Sequence, residues 1–388
     1  MRKLFVFSLS FCLLALASTA QSRGYRVKVK IDNPSHYPMY LAYAEGADYK
    51  VDTSFTMEDG AAVFTGKVKE PTVAAFGFRG NPDLMISLKD AFIPGPNLNF
   101  FLSNEDIEIE GTVPESYKAK VSGGVANQEW ASIKEKQTAL EEDSWKAARQ
   151  AYGHYDPEVD VKVFNDLSTL RAENMARDEA IRADFIKKHP ASLVSMYFLY
   201  GLVNELSLDT LKVEYDQLSS TYKSSKYGRA IATKIANMEA TAIGKQAIDF
   251  KKLDMNGKPV SLSSMQGKYV LVDFWGSWCG PCRESHPHLK ALYNKYKDQG
   301  FEIIGIAQEQ SPSMDYNEKA WKNAVLKDGL PWLQVLNNQD LEKQDIVKDY
   351  GISAFPTKLL VDKKGVIIQR FIGEDTGLDQ ALEKLFGF

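Results

Sequence analysis

Cys279 and Cys282 are the residues best equipped for chemistry, two thiols three positions apart in Trp278-Cys279-Gly280-Pro281-Cys282. A pair at this spacing has three ordinary uses: a reversible redox disulfide, half of a zinc site, or one bridge of a secreted scaffold. The preceding apolar run, Tyr269-Val270-Leu271-Val272-Asp273-Phe274-Trp275, reads as a buried strand, and a helix is expected from Arg283. If Cys279 caps that helix and Cys282 lies one turn in, their Cα atoms fall within the roughly 4.4–6.8 Å that a disulfide requires. A helix N-terminus also offers unpaired N–H groups and the positive end of a dipole, which stabilise a thiolate. Cys279 is therefore the expected nucleophile and Cys282 the resolving thiol.

The rest of the chain narrows these uses. Arg2-Lys3, the apolar stretch Leu4 to Ala17 and the small residues Ser18-Thr19-Ala20 have the layout of a signal peptide, so residues 1–20 are expected to be removed on export. The apolar run is shorter than the about 20 residues that span a bilayer. Removal takes Cys12, the remaining one of three cysteines, and leaves a single close pair in a periplasmic protein. A scaffold would spread several cysteines through the chain. Zinc would need two further ligands, and neither a second C-x-x-C nor a His-x-x-x-His occurs. His286 and His288 share the expected helix but face different ways. No metal and no cofactor other than the disulfide itself is expected. The formal charge of −4 gives no reason to expect nucleic acid as a partner.

At 388 residues, 44% of them hydrophobic and 25% charged, the chain is globular and has room for more than one domain. Residues 23–112 alternate over short runs such as Tyr25 to Ile31, Ala62 to Gly66 and Val73 to Phe78, with turns at Pro34, Pro38 and Glu58-Asp59-Gly60. They predict a small antiparallel β domain. Residues 125–241 change to helical periodicity, with Trp130, Ile133 and Leu140 on one face and Tyr227, Ile231, Ile235 and Met238 on another. Breaks are expected at Asp156-Pro157, His189-Pro190 and Ser207-Leu208-Asp209. His36 is a lone histidine in a proline-flanked loop, and neither His154 nor His189 belongs to a catalytic motif in the sequence. Residues 243–388 alternate strand and helix, which implies a central sheet covered on both faces, with the cysteine turn at the C-terminal edge of a central strand.

Residues 243–388 resemble a thioredoxin-fold domain of the exported TlpA/ResA type, often labelled AhpC/TSA-like. The likeness rests on Val272-Asp273-Phe274-Trp275-Gly276-Ser277-Trp278-Cys279-Gly280-Pro281-Cys282-Arg283 and on Tyr350-Gly351-Ile352-Ser353-Ala354-Phe355-Pro356-Thr357. Residues 25–112 also resemble the β domain that precedes such domains in Bacteroidota proteins. The fold expected is thus a C-terminal α/β thioredoxin fold preceded by a small all-β domain and a helical region. The resemblance implies that Pro356 is a cis-proline facing the cysteines, that the backbone of Phe355 pairs with an extended substrate, and that Trp278, Gly280 and Pro281 line the groove. It makes Asp273 the buried acid beneath the pair, suited by desolvation to take the proton of Cys282. Pro287 matches the proline that kinks the helix. Two departures stand out. Thioredoxin pairs its buried acid with a lysine of the neighbouring strand, and Glu302 to Ala307 contains none; the glutamate often found three residues after the second cysteine is Ser285 here, with Glu284 one place earlier. An insertion between Ala307 and Pro356, expected to hold helices near Asn317–Lys327 and Leu341–Tyr350 and a strand near Trp332–Leu336, borders the expected groove.

The function expected is dithiol–disulfide exchange with protein substrates that contain disulfides. Gly280-Pro281 resembles the reducing thioredoxins, so a reductase is expected, and a reductase in an oxidising compartment implies a membrane-embedded thiol reductant as electron donor. Two other readings are a thiol-dependent peroxidase, for which neither cysteine has the Pro-x-x-x-Thr-x-x-Cys context, and a partner-binding protein whose redox pair is secondary.

Overall fold

The computed structural model describes residues 24–387 except 34–35, 47, 89–91, 154–160 and 374–376. The expected leader with Cys12 lies outside the described residues, as do Pro34, His154 and the break at Asp156-Pro157. The chain separates into two compact units, one ending at Phe185 and the other starting at Ile186.

The first unit carries β1 (Tyr25–Asp32), β2 (Met39–Glu45), β3 (Asp48–Asp52), β4 (Thr56–Glu58), β5 (Ala61–Gly66), β6 (Thr72–Phe78), β7 (Met85–Ser87), β8 (Phe92–Pro94), β9 (Leu98–Leu102), β10 (Asp106–Thr112) and β11 (Lys120–Ser122). Two sheets, β11-β10-β1-β5-β4 and β3-β2-β6-β9, share a core that includes Val27, Val29, Leu41, Phe64, Phe76 and Phe100. The period-two pattern of Tyr25 to Ile31 is the alternation of its buried and outward side chains. The expected antiparallel arrangement is amended at one pair: β1 and β10 run parallel, with Arg26 opposite Asp106. Between β1 and β10 the chain crosses to the other sheet and back twice, for β2-β3 and for β6 and β9, an excursion long enough for parallel neighbours. Helix α1 (Val125–Gly153) is tied to the sandwich. The Asn127 side chain accepts from the Phe101 N–H at 2.8 Å and donates to the Phe101 carbonyl at 2.9 Å, and Trp130 meets the Phe101 ring at 5.5 Å. Helix α2 (Val161–Lys188) follows.

The second unit holds α3 (Leu193–Gly201), α4 (Leu208–Gln217), α5 (Lys226–Ala240), β12 (Lys251–Leu253), β13 (Pro259–Ser261), β14 (Tyr269–Trp275), α6 (Gly280–Tyr296), β15 (Phe301–Ala307), α7 (Met314–Asp328), β16 (Leu333–Leu336), α8 (Ile346–Asp349), β17 (Thr357–Val361), β18 (Ile367–Ile372) and α9 (Leu378–Phe386). The helical stretch 125–241 is therefore shared between the units. Thr241 Oγ donates to the Tyr350 carbonyl at 3.1 Å and Asn237 to the Lys348 carbonyl at 2.9 Å, which holds the end of α5 to the α/β part.

The central sheet has the order β16-β15-β14-β17-β18, with β14, β15 and β16 parallel and β17 and β18 antiparallel. β14 is buried on both faces, as a central strand should be. Leu271 and Trp275 pack with α6, α7 and α9; Val270, Val272 and Phe274 pack with Ile346, Tyr350 and Phe250 on the other side. Each such large side chain contributes about 1.5–3 kcal/mol of burial. Alternation puts Asp273 on the α6 face. The expected hairpin at Asn256-Gly257 is present, its turn held by Asp254 Oδ1, which accepts from the Asn256 and Lys258 N–H groups at 2.8 Å.

Candidate active site

β14 ends at Trp275, and the chain turns into α6 through Gly276-Ser277-Trp278. Cys279 is the N-cap residue, its Sγ accepting from the Cys282 N–H at 3.3 Å, and Pro281 occupies the first turn, where no N–H is required. Cys279 and Cys282 form a disulfide with Cα atoms 5.3 Å apart. Both are buried, at 4% and 1% exposure, whereas Gly280 and Pro281 are exposed. Pro287 stands inside α6, where its missing N–H removes the bond to the Arg283 carbonyl.

The turn is held from the loop after β15. Glu309, itself buried, accepts from the Ser277 N–H at 2.8 Å and from Ser277 Oγ at 2.6 Å. Trp278 Nε1 donates to the Gln308 carbonyl at 2.8 Å. The indole crosses so close to the backbone that a Cβ at Gly276 would lie 2.5 Å from its Nε1, so only glycine fits there. The Trp278 ring is 44% exposed and meets the half-buried Phe355 edge to face at 5.6 Å. The Phe355–Pro356 peptide bond is cis. Pro281 and Pro356 line one cavity of about 230 Å³, together with Glu284, Ser285, His288 and Lys358. Of the residues expected to form the groove, Pro281 and Pro356 share this cavity, and Trp278 meets Phe355.

Asp273 is buried at 2% exposure, and its Oδ1 has no hydrogen-bond partner among the described residues. Burial pushes its carboxyl above the usual carboxylate range, with Lys358 and then His286 drawing it part of the way back. Here the sequence reading is corrected. β15 supplies no lysine, but β17 does: Lys358 sits directly across from Asp273 on the antiparallel side, its Nζ 3.9 Å from Oδ1. On the β15 side the residue opposite Asp273 is Gly305, over which the Gln334 amide packs so closely that a Cβ would come within 2.2 Å of it. The signal for Lys358 was present as a lone charge in the apolar strand Thr357-Lys358-Leu359-Leu360-Val361.

Sequence reasoning also missed the partners of the groups beyond Cys282. Ser285, standing where the resemblance leads one to expect glutamate, donates to the Cys282 carbonyl at 2.7 Å. His286 is buried and His288 exposed, as expected for different faces; the former contacts Asp328 and the latter Asp379 at 3.0 Å. Among the described residues no cluster of three or more His, Cys, Asp or Glu could hold a metal ion, and no helix is long and apolar enough to cross a membrane.

A disulfide at a helix N-terminus, with a buried carboxylate on the strand beneath, is an arrangement for thiol–disulfide exchange. The family model described as Redoxin matches residues 242–385, and one described as a domain of unknown function (DUF4369) matches residues 25–130. The thiol-disulfide oxidoreductase ResA of Bacillus thuringiensis (strain Al Hakam) is 37% identical over 141 residues, 36% of this chain and 76% of that protein. The chain belongs to the ResA-type thioredoxin-like oxidoreductases. ResA of Geobacillus kaustophilus (strain HTA426) is 34% identical over 140 residues, covering 36% of this chain and 75% of that one. Among solved structures, the thioredoxin domain of a thiol-disulfide oxidoreductase from Bacteroides vulgatus is 37% identical and covers 37% of this chain and 97% of that one, with a TM-score of 0.33. The ResA-type likeness lies in the second unit, and its enzyme class is thiol-disulfide oxidoreductase.

Proposed function

We propose that this ResA-type chain is an exported protein-disulfide reductase in which Cys279 is the nucleophile, Cys282 the resolving thiol and Asp273 the base. The observation that carries this reading is the disulfide at the N-cap of α6, where Pro281, the next residue but one after Cys279, lines a cavity together with the cis-proline Pro356. In the dithiol state the Cys279 thiolate attacks a substrate disulfide; one substrate sulfur leaves as thiolate, and a mixed disulfide forms. Asp273 takes the proton of Cys282, which attacks Cys279 and expels the second substrate sulfur. The substrate gains two electrons and the pair returns to the disulfide. The helix N-terminus favours the thiolate of Cys279 over that of Cys282, which lies one turn in.

Trp278 and Phe355 form the apolar wall of the groove, and the Phe355 backbone pairs with an extended substrate strand. Residues 1–20 direct the chain to the periplasm, where a membrane-embedded thiol reductant re-reduces the pair. The test is a Cys282→Ser chain in exported extracts, which is expected to retain disulfide-containing proteins on Cys279. If nothing is trapped while insulin reduction by the native chain is also absent, the reading falls. Direction is tested separately by equilibration with glutathione. A potential near thioredoxin's, about −270 mV, is expected, and one near about −120 mV would make the protein an oxidant.

A further inference from the structure

One face of α6 converges on the last residue of α7. Arg283 places Nε 2.9 Å and Nη2 2.6 Å from the two carboxylate oxygens of Asp328. His286 Nδ1 lies 2.9 Å from Oδ2, and Lys290 Nζ donates to the Asp328 carbonyl at 2.7 Å. Spacings of three and four put these residues on one helical face. Arg283 stands one turn on from Cys279, its N–H donating to the Cys279 carbonyl at 3.2 Å, which puts it on the side of the helix that carries the nucleophile. The C-terminal end of a helix disfavours negative charge, so Asp328 is held there by its partners rather than by its own helix.

A guanidinium beside a dithiol stabilises the thiolate. In this chain that charge is met by a bidentate carboxylate, in a pair whose side chains are only 28% and 13% exposed, so solvent screens it little. We propose that Asp328 is a positioning residue of the redox centre: by neutralising Arg283, with His286 holding the carboxylate and Lys290 the main-chain carbonyl, it keeps the pair more reducing than α6 alone would make it. This rests on the reading of Cys279 and Cys282 as the exchanging pair. The other charged groups around α6 are Asp273 with Lys358, Glu309, Glu284, and His288 with Asp379; none of these is hydrogen-bonded or ion-paired to Arg283.

Asp328→Asn keeps the shape and one acceptor but removes the charge. The Cys279 titration midpoint, followed as alkylation rate against pH, is expected to fall. The equilibrium with glutathione is expected to shift roughly three- to tenfold toward the dithiol, because a stabilised thiolate stabilises the reduced form. Adding Arg283→Gln should reverse both shifts. Arg283→Gln alone should move them the opposite way, and it decides the matter if Asp328→Asn does not fold. Native values in Asp328→Asn would mean that Asp328 only packs, and a shift that Arg283→Gln leaves in place would mean that it does not act through Arg283; either result overturns the proposal. The equilibrium is read on the chain's own disulfide, so it stands whether or not a substrate is reduced; absence of insulin reduction by the native chain would sink the functional reading alone.

Discussion

Asp273 approaches the redox helix from the sheet and Asp328 approaches it from α7, and the two carboxylates live under opposite conditions. Asp273 has one ammonium at 3.9 Å and an oxygen without a hydrogen bond, so burial dominates and its carboxyl is pushed up. Asp328 is gripped first by Arg283, then by His286, and is held below the usual carboxylate range although burial opposes this. Nearness to the same helix therefore does not decide what a carboxylate can do. The number of donors facing it does: the starved acid is suited to exchange a proton, the saturated one to carry a permanent charge.

The largest expected effect separates the two roles kinetically. Asp273→Asn should slow resolution of the mixed disulfide at pH 7 by about 10²-fold, measured by acid quenching and alkylation of a complex with a model peptide. An unchanged rate would remove Asp273 from proton transfer and leave the two carboxylates functionally alike.

Stability should separate them by sign. Because the folded acid of Asp273 lies above its ordinary value of 3.8, its contribution is fully present below 3.8 and is lost as pH rises through the folded value. Asp273→Asn is thus expected to raise the urea midpoint at pH 7, with the gain shrinking toward pH 3.8. Asp328 runs the other way: its contribution is present above its ordinary value of 3.8 and is lost as pH falls through the lowered folded value. Asp328→Ala should cost about 2 kcal/mol at pH 7, and less in acid. Shifts of the same sign in both variants would break the comparison.

Lys358→Met gives the smallest effect and sharpens the account of Asp273. Without the ammonium the acid rises further, so the acid limb of the pH–rate profile, which reports deprotonation of the base, should move to higher pH. Exchange at pH 7 should drop roughly three- to tenfold and recover in alkali, which a packing defect would not reproduce.

What could be read in the sequence followed the range of the interactions. The cysteine pair, the apolar strand before it and the Asn256-Gly257 hairpin are local patterns, and the structure has all of them. Lys358 escaped because its role depends on which strand lies on the other side of β14, and strand order is not written in any one strand. Asp328 is 45 residues from Arg283 and belongs to an insertion, where no spacing rule connects them. The amphipathic stretch 125–241 announced buried faces without saying against what. It is divided between a sandwich that takes Trp130 and an α/β core that takes Thr241. The parallel pairing of β1 and β10 was hidden for a similar reason, since period-two alternation is the same read in either direction.

That pairing has a consequence in time. β1 is the first described strand of the chain, yet it lies inside its sheet between β5 and β10. Arg26 waits for Asp106, so at about 5–20 residues per second roughly 4–16 s of synthesis pass before the strand can be enclosed. The first strand of the sandwich to be made is thus sheltered only when the sandwich is nearly complete, which makes the nascent sandwich a client for whatever keeps unfinished chains apart.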